Sequence, residues 1–278
     1  MTILVSGATG MVGRHVVAEL VRTGQRVRAL TRTPSAASLP DGVEVVGGDL
    51  TDPSSLEASL DGVDRMYLFP VGRTARDVVA AAKRAGVSRI VVLSGALADT
   101  DDSEDGYLAV ERAVEDSGLE RTHVRPGEFA ANWLDWAPSI KEGRVVRRPY
   151  GAAVTQPTHE ADIATVAATV LVEDGHAGRT YTLAGPQALT TVTQVETIGA
   201  AIGTTVRFEE LDPAEARAEW IGNGYPETFV DWIFTMWGES ARDPAPTNEE
   251  WAGVVPRLTG RPARTFAQWA TDHSADFR

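Results

Sequence analysis

The first twenty residues combine a short apolar run, a turn rich in glycine and the start of an amphipathic stretch. Residues 3–5 are apolar, Gly7, Gly10 and Gly13 follow at three-residue intervals, and valine and leucine recur over residues 16–20. Gly7 and Gly10 permit a tight turn that lets the backbone approach a phosphate, while Gly13 lets the following helix press onto a sheet. A dinucleotide pyrophosphate is bound by such a strand–turn–helix start. The residues predicted to bind it are Gly7, Thr9, Gly10, Met11, Val12 and Gly13.

Strands and helices then alternate at crossover length. The pattern predicts strands at 26–30, 43–50, 63–70 and 89–93, with helices at 53–60 and 74–85. This alternation is typical of α/β proteins with a Rossmann-type doubly wound parallel sheet. We expect an NAD(P)-binding domain over 1–132, completed by strands and a helix within 154–185. A small α/β C-terminal substrate lobe is expected over 133–153 and 186–278, as a lid over the cofactor or as a subunit contact.

Ligands of such sheets bind beyond the carboxyl ends of the strands. The residues predicted to contact the cofactor there are Asp49, Leu50, Phe69, Pro70, Ser94 and Pro126. Asp49 and Leu50 are expected beside the adenine, and Ser94 near the reacting ring. Three alternatives stay open: Asp49 as a cap of the helix near Pro53, Ser94 as a turn hydroxyl, and Phe69 as a core residue.

The end of the second strand indicates which dinucleotide is bound. An acidic residue at this position hydrogen-bonds the ribose hydroxyls of NAD, whereas an arginine compensates the 2′-phosphate of NADP. The strand ends in Thr31-Arg32-Thr33-Pro34, with no carboxylate. NADP(H) is therefore favoured over NAD(H) through Arg32, unless Arg32 is an ordinary solvated surface charge.

The composition excludes several kinds of partner and site. A formal net charge of −13 over 278 residues argues against nucleic acid and anionic membranes as partners. The absence of cysteine excludes disulfides and thiolate chemistry, and the five histidines show no metal-binding spacing. We expect no typical export signal, no membrane span and a cytoplasmic location. The expected partner is a small organic molecule, and a homodimer is left open.

Several segments together resemble the NmrA-like group of atypical short-chain dehydrogenases, close to its NADPH-dependent quinone oxidoreductases. They are Gly7-Ala-Thr-Gly10-Met-Val-Gly13-Arg, Thr31-Arg32-Thr-Pro, Gly48-Asp49-Leu, Gly86-Val-Ser-Arg-Ile-Val-Val-Leu-Ser94, Val124-Arg125-Pro126-Gly127, Thr158-His159-Glu-Ala-Asp162-Ile-Ala and Arg179-Thr-Tyr-Thr-Leu-Ala-Gly185-Pro. The resemblance implies a nicotinamide cofactor. It leaves two functions open, because the group contains both reductases and cofactor-sensing regulators that do no chemistry.

The candidate catalytic residues are Ser94, Tyr107 and Glu111. The separation of Ser94 and Tyr107 resembles that of the serine and tyrosine of ordinary short-chain dehydrogenases, where a lysine four residues later lowers the tyrosine pKa. Glu111 stands at that place here. A negative charge nearby is expected to raise the pKa of Tyr107 and make it a poorer acid at neutral pH. The alternative is that Tyr107 only lines a pocket and Glu111 is a solvated helix carboxylate.

An aromatic segment follows the strand that ends at Pro126. It predicts a pocket for a flat organic acceptor, lined by Phe129, Asn132, Trp133 and Tyr150. Plain core packing is the alternative. The sequence thus favours an NADPH-dependent reductase of a small quinone, enone or related carbonyl. The other hypothesis is a dinucleotide-binding redox sensor that acts through a protein partner.

Overall fold

The computed structural model describes residues 1–100 and 103–278. Over these residues the chain divides into two compact units. Unit 1 comprises Met1–Gly127, Glu160–Leu183 and Gly253–Pro262, and unit 2 comprises Glu128–His159, Ala184–Ala252 and Ala263–Arg278. The first domain was expected to extend to residue 132. Residues 253–262, which were expected in the C-terminal lobe, belong to unit 1.

The described residues form the following secondary structure. The strands are β1 (Thr2–Val5), β2 (Arg26–Thr31), β3 (Glu44–Gly47), β4 (Arg65–Leu68), β5 (Arg89–Leu93), β6 (Glu120–Pro126), β7 (Val145–Arg148), β8 (Val154–Thr155), β9 (Arg179–Leu183), β10 (Leu189–Thr190) and β11 (Arg207–Glu210). The α-helices are α1 (Gly13–Arg22), α2 (Glu57–Leu60), α3 (Ala75–Arg84), α4 (Tyr107–Ser117), α5 (Ala137–Gly143), α6 (Glu160–Val172), α7 (Thr191–Ile202), α8 (Pro213–Gly222), α9 (Glu227–Arg242), α10 (Glu249–Ala252), α11 (Val254–Thr259) and α12 (Phe266–Asp272). Short 3₁₀ helices cover Pro34–Ala36, Pro53–Leu56, Gly72–Thr74, Ala98–Thr100, Ala130–Trp136 and Ser274–Phe277.

Unit 1 is built on a seven-stranded sheet in the order β3-β2-β1-β4-β5-β6-β9. Every pair of neighbouring strands in this sheet is parallel. Because helices cover a parallel sheet on both faces, its inner strands are largely apolar. All residues of β1 and β5 are buried, as the apolar runs at 3–5 and 90–93 indicated. The predicted Rossmann-type doubly wound fold is confirmed.

The two faces of this sheet are packed by different helices. On one face, Leu4, Met66 and Ile90 share an apolar cluster with Val78 of α3 and Val110 of α4. The helices of the other face pack on one another, α1 against α6 and α6 against α11. All the strands point the same way, so the loops that follow β1, β3, β4, β5 and β6 emerge at the same edge of the sheet.

Unit 2 is a smaller α/β unit. Strands β7 and β11 pair in parallel, and the two-residue strands β8 and β10 pair antiparallel. One apolar cluster joins Trp133 and Ile140 to Trp269 of the terminal helix α12. A second cluster is centred on Phe234 and Trp237 of α9, whose Trp232 is 42% exposed. The α/β lobe expected from the C-terminal sequence is therefore present, and its last helix packs within it.

Candidate functional site

The turn after β1 is held tight by its glycines. Gly7 has a positive φ of 60°, and the N–H of Gly10 donates to the Gly7 carbonyl oxygen at 2.9 Å. A β-carbon built at Gly13 would lie 2.0 Å from that same oxygen, which no side chain can tolerate. Helix α1 then starts with no side-chain cap and no acidic residue in its first turn. This cradle fits a dinucleotide phosphate, because the backbone of the turn and the dipole of the helix favour an anion.

The loop after β4 lies against this turn. The Ser6 hydroxyl donates to the Tyr67 carbonyl oxygen at 3.0 Å and accepts from the Phe69 N–H at 2.8 Å. The Phe69 side chain is 44% exposed, and its ring lies 3.2 Å from the place a β-carbon of Gly7 would take. The alternative that Phe69 is a core residue is therefore wrong. Ser6, which links the ends of two neighbouring strands, was not singled out from the sequence.

Several residues at the carboxyl edge of the seven-stranded sheet are exposed and available to a ligand. Thr9, Gly10 and Met11 are exposed, Val12 and Gly13 are buried beneath them, and Pro70 is half-buried. Leu50, which follows β3, and Pro126, the last residue of β6, are buried. The structure thus brings the residues predicted to bind the dinucleotide to the carboxyl edge of one sheet, and their individual contacts with it stay predictions.

Asp49 and Arg32 lie beyond the ends of neighbouring strands. The N–H of Thr51 donates to the Asp49 carboxylate at 2.9 Å, while the helix at Pro53 is capped by Asp52. The alternative that Asp49 caps that helix is therefore wrong. The hydrogen bond from Thr51, and to a smaller degree the positive charge of Arg32, lower the pKa of Asp49. The Arg32 side chain is exposed, so it can reach a phosphate without breaking any packing.

Glu111 is the centre of a buried ion-pair network. Its side chain is 4% exposed and accepts from Nε of Arg125 at 2.8 Å and from Nη2 at 2.5 Å. The same arginine donates to Asp99 at 2.7 and 3.0 Å, and Nδ1 of His123 lies 3.2 Å from Glu111. Despite the opposing effect of burial, the hydrogen bonds from Arg125 and, to a smaller degree, the neighbouring His123 and Ser94 side chains lower the pKa of Glu111 to about 2. The alternative of a solvated helix carboxylate is wrong.

Tyr107 is the first residue of α4 and is 37% exposed. Its ring lies against Gly95, where a β-carbon would approach the ring to 2.9 Å. Burial raises the pKa of Tyr107, so the predicted direction is correct. The cause is different, because the charge of Glu111 is neutralised by Arg125 and the shift comes from loss of solvation. The phenol remains protonated at neutral pH.

Ser94 follows β5 and is fully buried. Its hydroxyl lowers the pKa of Glu111, and its oxygen is buried without a hydrogen-bond partner among the described residues. A fully buried hydroxyl offers no surface to an acceptor in this conformation. Its assignment as a catalytic residue stays a prediction.

The residues predicted to line the acceptor pocket lie in unit 2 and differ in how exposed they are. Trp133 is 4% exposed and stacks on Trp136 at a centroid distance of 4.6 Å. Phe129 and Tyr150 are half-buried and Asn132 is exposed. None of Phe129, Asn132, Trp133 and Tyr150 is among the described residues that line the cavity of this unit, so their assignment to an acceptor pocket stays a prediction.

Unit 2 contains a cavity of about 760 Å³, which we name the unit 2 cavity. It is lined by Glu128, Val154, Thr155, Met236, Trp237, Glu239, Ser240, Arg242 and Asp243. Burial raises the pKa of Glu128 to about 7, against the opposing effects of a hydrogen bond from Thr155 and the charge of Arg148. Within residues 1–100 and 103–278, Oε2 of Glu128 is buried without a hydrogen-bond partner. Glu128 is a functional candidate that the sequence reasoning missed, because nothing in its sequence neighbourhood marks it as buried.

Four tryptophan rings surround the guanidinium of Arg148. The distances from its central carbon to the ring centroids are 4.1 Å for Trp237, 5.2 Å for Trp133, 5.5 Å for Trp220 and 5.6 Å for Trp136. Burial lowers the pKa of Arg148 to about 10, so the group remains charged at neutral pH. Cation–π attraction is strongest for tryptophan and in desolvated sites, which explains why a buried cation is tolerated here. We name this arrangement the tryptophan cage.

Two further features of the part of the chain that the structure describes concern metal ions and membranes. No group of three or more histidine, aspartate or glutamate side chains is arranged to hold a metal ion there. No helix among those residues has the length and the apolar character needed to cross a membrane.

Known proteins are similar to this chain in both sequence and fold. Residues 1–244 match the model of the NmrA-like family. The (4-alkanoyl-5-oxo-2,5-dihydrofuran-3-yl)methyl phosphate reductase of Streptomyces griseus is 40% identical over 286 aligned positions, and the match covers 99% of each chain. The NAD(P)H azoreductase of Xenophilus azovorans is 34% identical over 288 positions, again with 99% of each chain covered.

A solved structure agrees with these sequence matches. The NADPH-dependent quinone oxidoreductase of Escherichia coli, complexed with NADPH, aligns over 97% of this chain and 99% of that chain, with a TM-score of 0.77 and 29% identity. The family model covers residues 1–244 of the 278, which include the glycine turn, the seven-stranded sheet and most of unit 2. On these matches, the chain belongs to the NmrA-like family.

Proposed function

We propose that this protein is an NADPH-dependent reductase of a small quinone, enone or related carbonyl compound. It is an NAD(P)H-dependent oxidoreductase, as the azoreductase and the quinone oxidoreductase are by name. The observation that carries the proposal is the glycine cradle at the start of α1, with exposed strand-end loops beside it. A bound nicotinamide supplies the hydride, and the protein supplies binding, orientation and a proton.

The nature of the acceptor is the finer part of the proposal. The relatives are named for unlike acceptors: a butenolide phosphate, an azo compound and a quinone. These are electron-poor conjugated systems, which accept hydride without strong acid catalysis at the start of the reaction. Tyr107 has a raised pKa, and no lysine stands four residues after it. This site therefore suits acceptors of this kind better than simple ketones.

The first test is oxidation of NADPH by the purified protein with a panel of quinones, enones, azo dyes and aldehydes. We expect turnover with at least one conjugated acceptor and little with simple aldehydes. Binding of NADPH is measured in parallel by calorimetry. Tight NADPH binding with no turnover across the panel would contradict the reductase and favour the redox sensor, the function that remains for a dinucleotide-binding protein without chemistry.

Arg32→Asp tests the preference for NADP(H). The substitution removes a guanidinium that can bind the 2′-phosphate and adds a carboxylate that repels it, so NADPH affinity is expected to fall by about tenfold to a hundredfold. The affinity for NADH is expected to change little. Calorimetric titration of both cofactors measures this, with Arg84→Asp at the exposed end of α3 as the matched control. An equal loss for NADPH and NADH would remove the assignment.

Tyr107→Phe tests the role of the phenol. Reduction of a quinone needs little acid help at oxygen, so its turnover is expected to fall by no more than about threefold. Turnover of an aldehyde is expected to fall by about tenfold, because its alkoxide product needs a proton donor. Steady-state kinetics with both acceptors measure the difference. A near-total and equal loss would show that Tyr107 is essential for both reactions.

A further inference from the structure

Unit 1 exposes large apolar side chains at one edge of its sheet. Four of them are Met11, Phe69, Leu97 and Tyr107, whose exposed fractions lie between 37% and 45%. Met11 follows β1, Phe69 follows β4, and Leu97 and Tyr107 follow β5. Among the described residues of unit 1, the other large apolar side chain that is exposed is Met1. Exposed apolar residues that collect in one place mark a binding surface, whereas scattered ones need no explanation.

The order of the strands indicates which part of the cofactor belongs beside these residues. Six of the strands run β3-β2-β1-β4-β5-β6, the order of sheets in which each half of a dinucleotide lies over three strands. The glycine turn after β1 and Arg32 after β2 belong to the first half, which is expected to receive the phosphates and the adenosine. The nicotinamide is therefore expected beyond β4 and β5, where Phe69, Leu97 and Tyr107 are exposed.

Leu97 stands on a turn that hydrogen bonds hold on both sides of it. The turn after β5 comprises residues 95–100. The Ala96 N–H donates to the Pro126 carbonyl oxygen at 2.8 Å. The Leu97 carbonyl oxygen accepts from the Thr100 N–H at 2.9 Å and from the Thr100 hydroxyl at 2.7 Å. The backbone of the turn therefore fixes Leu97 in a position where its side chain is exposed.

The ion-pair network around Glu111 holds the far end of the same turn. Asp99 accepts from two nitrogens of the Arg125 guanidinium, at 2.7 and 3.0 Å. Arg125 lies on β6 and is itself held by Glu111, a buried carboxylate of α4. The Asp99 side chain is 69% exposed, so this ion pair contributes little to stability. Its effect is on geometry, because it ties the turn to β6 two residues after Leu97.

The Tyr107 ring adds a flat surface beside this turn. It lies against Gly95, where a β-carbon would approach the ring to 2.9 Å. Gly95 is the first residue of the turn and stands two residues before Leu97. An aromatic ring and an aliphatic side chain on one turn offer a flat apolar ligand a surface on which to lie.

We propose that the turn after β5 binds the acceptor, and that a flat conjugated ring lies against Leu97 and the ring of Tyr107. The proposal rests on the reductase function proposed above and names the surface that receives its acceptor. Leu97 is then a specificity-determining residue, and Asp99 is a positioning residue that acts through Leu97. No chemical step is added, because Leu97 contributes contact and orientation alone. The surface lies within unit 1, as the glycine cradle does.

The experiment measures both reduction and binding of 2-methyl-1,4-naphthoquinone. Leu97→Ala removes most of the apolar surface of this side chain, so KM for the quinone is expected to rise about tenfold while kcat changes less than about twofold. The dissociation constant of the quinone from the protein loaded with NADP+ is expected to rise by about the same factor, as measured by equilibrium dialysis. The affinity for NADPH, measured by calorimetry, is expected to stay level. Leu97→Met keeps the apolar volume and is expected to retain the KM of the unaltered protein.

A second leucine of unit 1 provides the matched control. Leu119 stands directly before β6, at the opposite edge of the sheet, and Leu119→Ala is expected to leave KM and both affinities unchanged. Thermal melts show that each variant folds, and the exposed position of Leu97 is expected to leave the melting temperature of Leu97→Ala unchanged. An unchanged KM and an unchanged quinone affinity in Leu97→Ala would overturn the proposal. An equal loss of NADPH affinity would also overturn it, because Leu97 would then contact the cofactor.

A double-mutant cycle tests whether Asp99 acts through Leu97. Asp99→Ala is expected to raise KM for the quinone about threefold, and Asp99→Glu, which keeps the carboxylate, is expected to restore much of the loss. The double variant Leu97→Ala/Asp99→Ala is expected to show no larger KM than Leu97→Ala alone, because the side chain that Asp99 positions is already missing. Effects that multiply in the double variant would refute the positioning role.

Binding and turnover together separate this proposal from the one on which it rests. Turnover of the quinone by the unaltered protein, with the same KM in Leu97→Ala, would refute the acceptor surface and leave the reductase intact. Quinone binding that Leu97→Ala weakens, but no NADPH oxidation by the unaltered protein, would support the surface and contradict the reductase.

Discussion

Replacing Gly13 by alanine is expected to abolish NADPH binding and to lower the free energy of unfolding by about 3 kcal/mol. The added β-carbon would lie 2.0 Å from the carbonyl oxygen of Gly7 and 2.7 Å from its carbonyl carbon. Both are backbone atoms, which cannot move aside as the end of a flexible side chain can. Relief of the clash must push α1 away from the turn, and this removes the cradle in which a phosphate would lie. Urea denaturation and calorimetric titration with NADPH measure the two effects.

A second glycine of unit 1 provides the control. Gly47 is the last residue of β3, and a β-carbon there would meet only the Pro34 ring at 3.5 Å, an ordinary contact. Gly47→Ala is expected to change the free energy of unfolding by less than about 1 kcal/mol. Should Gly13→Ala unfold at the same urea concentration as Gly47→Ala and bind NADPH normally, the close approach of α1 to the turn would not be what forms the site.

Replacing Arg125 by methionine is expected to destabilise the protein by about 3 kcal/mol or more. The Glu111 side chain is 4% exposed and would lose the arginine that donates to both of its oxygens. A buried carboxylate left without its partner retains its desolvation cost and loses the compensating attraction. Asp99, the other carboxylate bound to Arg125, is 69% exposed and can be solvated, so its contribution is small. Urea denaturation at neutral pH measures the loss.

The double variant Glu111→Gln/Arg125→Met separates charge from packing. It removes the uncompensated carboxylate and is expected to recover a substantial part of the stability lost in Arg125→Met. Acid titration gives a second readout, because the pKa of Glu111 is lowered from 4.5 to about 2. Its contribution to stability is complete above about pH 4.5 and is lost as the pH falls toward 2. Two results together would mean that Arg125 does not stabilise the Glu111 carboxylate. Arg125→Met would be as stable as the double variant, and its stability would depend on acid pH as that of the unaltered protein does.

The sheet could be predicted because its signals are local. Apolar runs of strand length, glycines that end helices and the alternation of elements placed β1 to β5, and the structure has them within a few residues of the predictions. The strand-end loops followed from the parallel topology alone. The segment of α11 could not be predicted to pack on α6 in unit 1, because nothing in residues 254–259 indicates which distant helix covers them.

The chemistry around Glu111 and Glu128 required the three-dimensional structure. From its sequence position, Glu111 is one carboxylate among several on α4, and its arginine partner stands fourteen residues later on a strand. The tryptophan cage draws its rings from positions 133 to 237, so no spacing in the sequence connects them to Arg148. Aromatic residues were expected to line an acceptor pocket, and this stays a prediction. Which of them enclose a cation, and which line a cavity, depends on how distant segments pack.

The discontinuity of unit 1 has a consequence for how the protein is made. The strand β9, the helix α6 that packs against β4, β5 and β6, and the helix α11 that packs on α6 all follow residue 127 in the chain. When residues 1–127 have been synthesised, six of the seven strands are present. The sheet then has an open edge at β6 and an apolar surface that α6 does not yet cover. The nascent chain must keep this surface from aggregating until residue 262 has left the exit tunnel, so unit 1 is completed only after most of unit 2 has been synthesised.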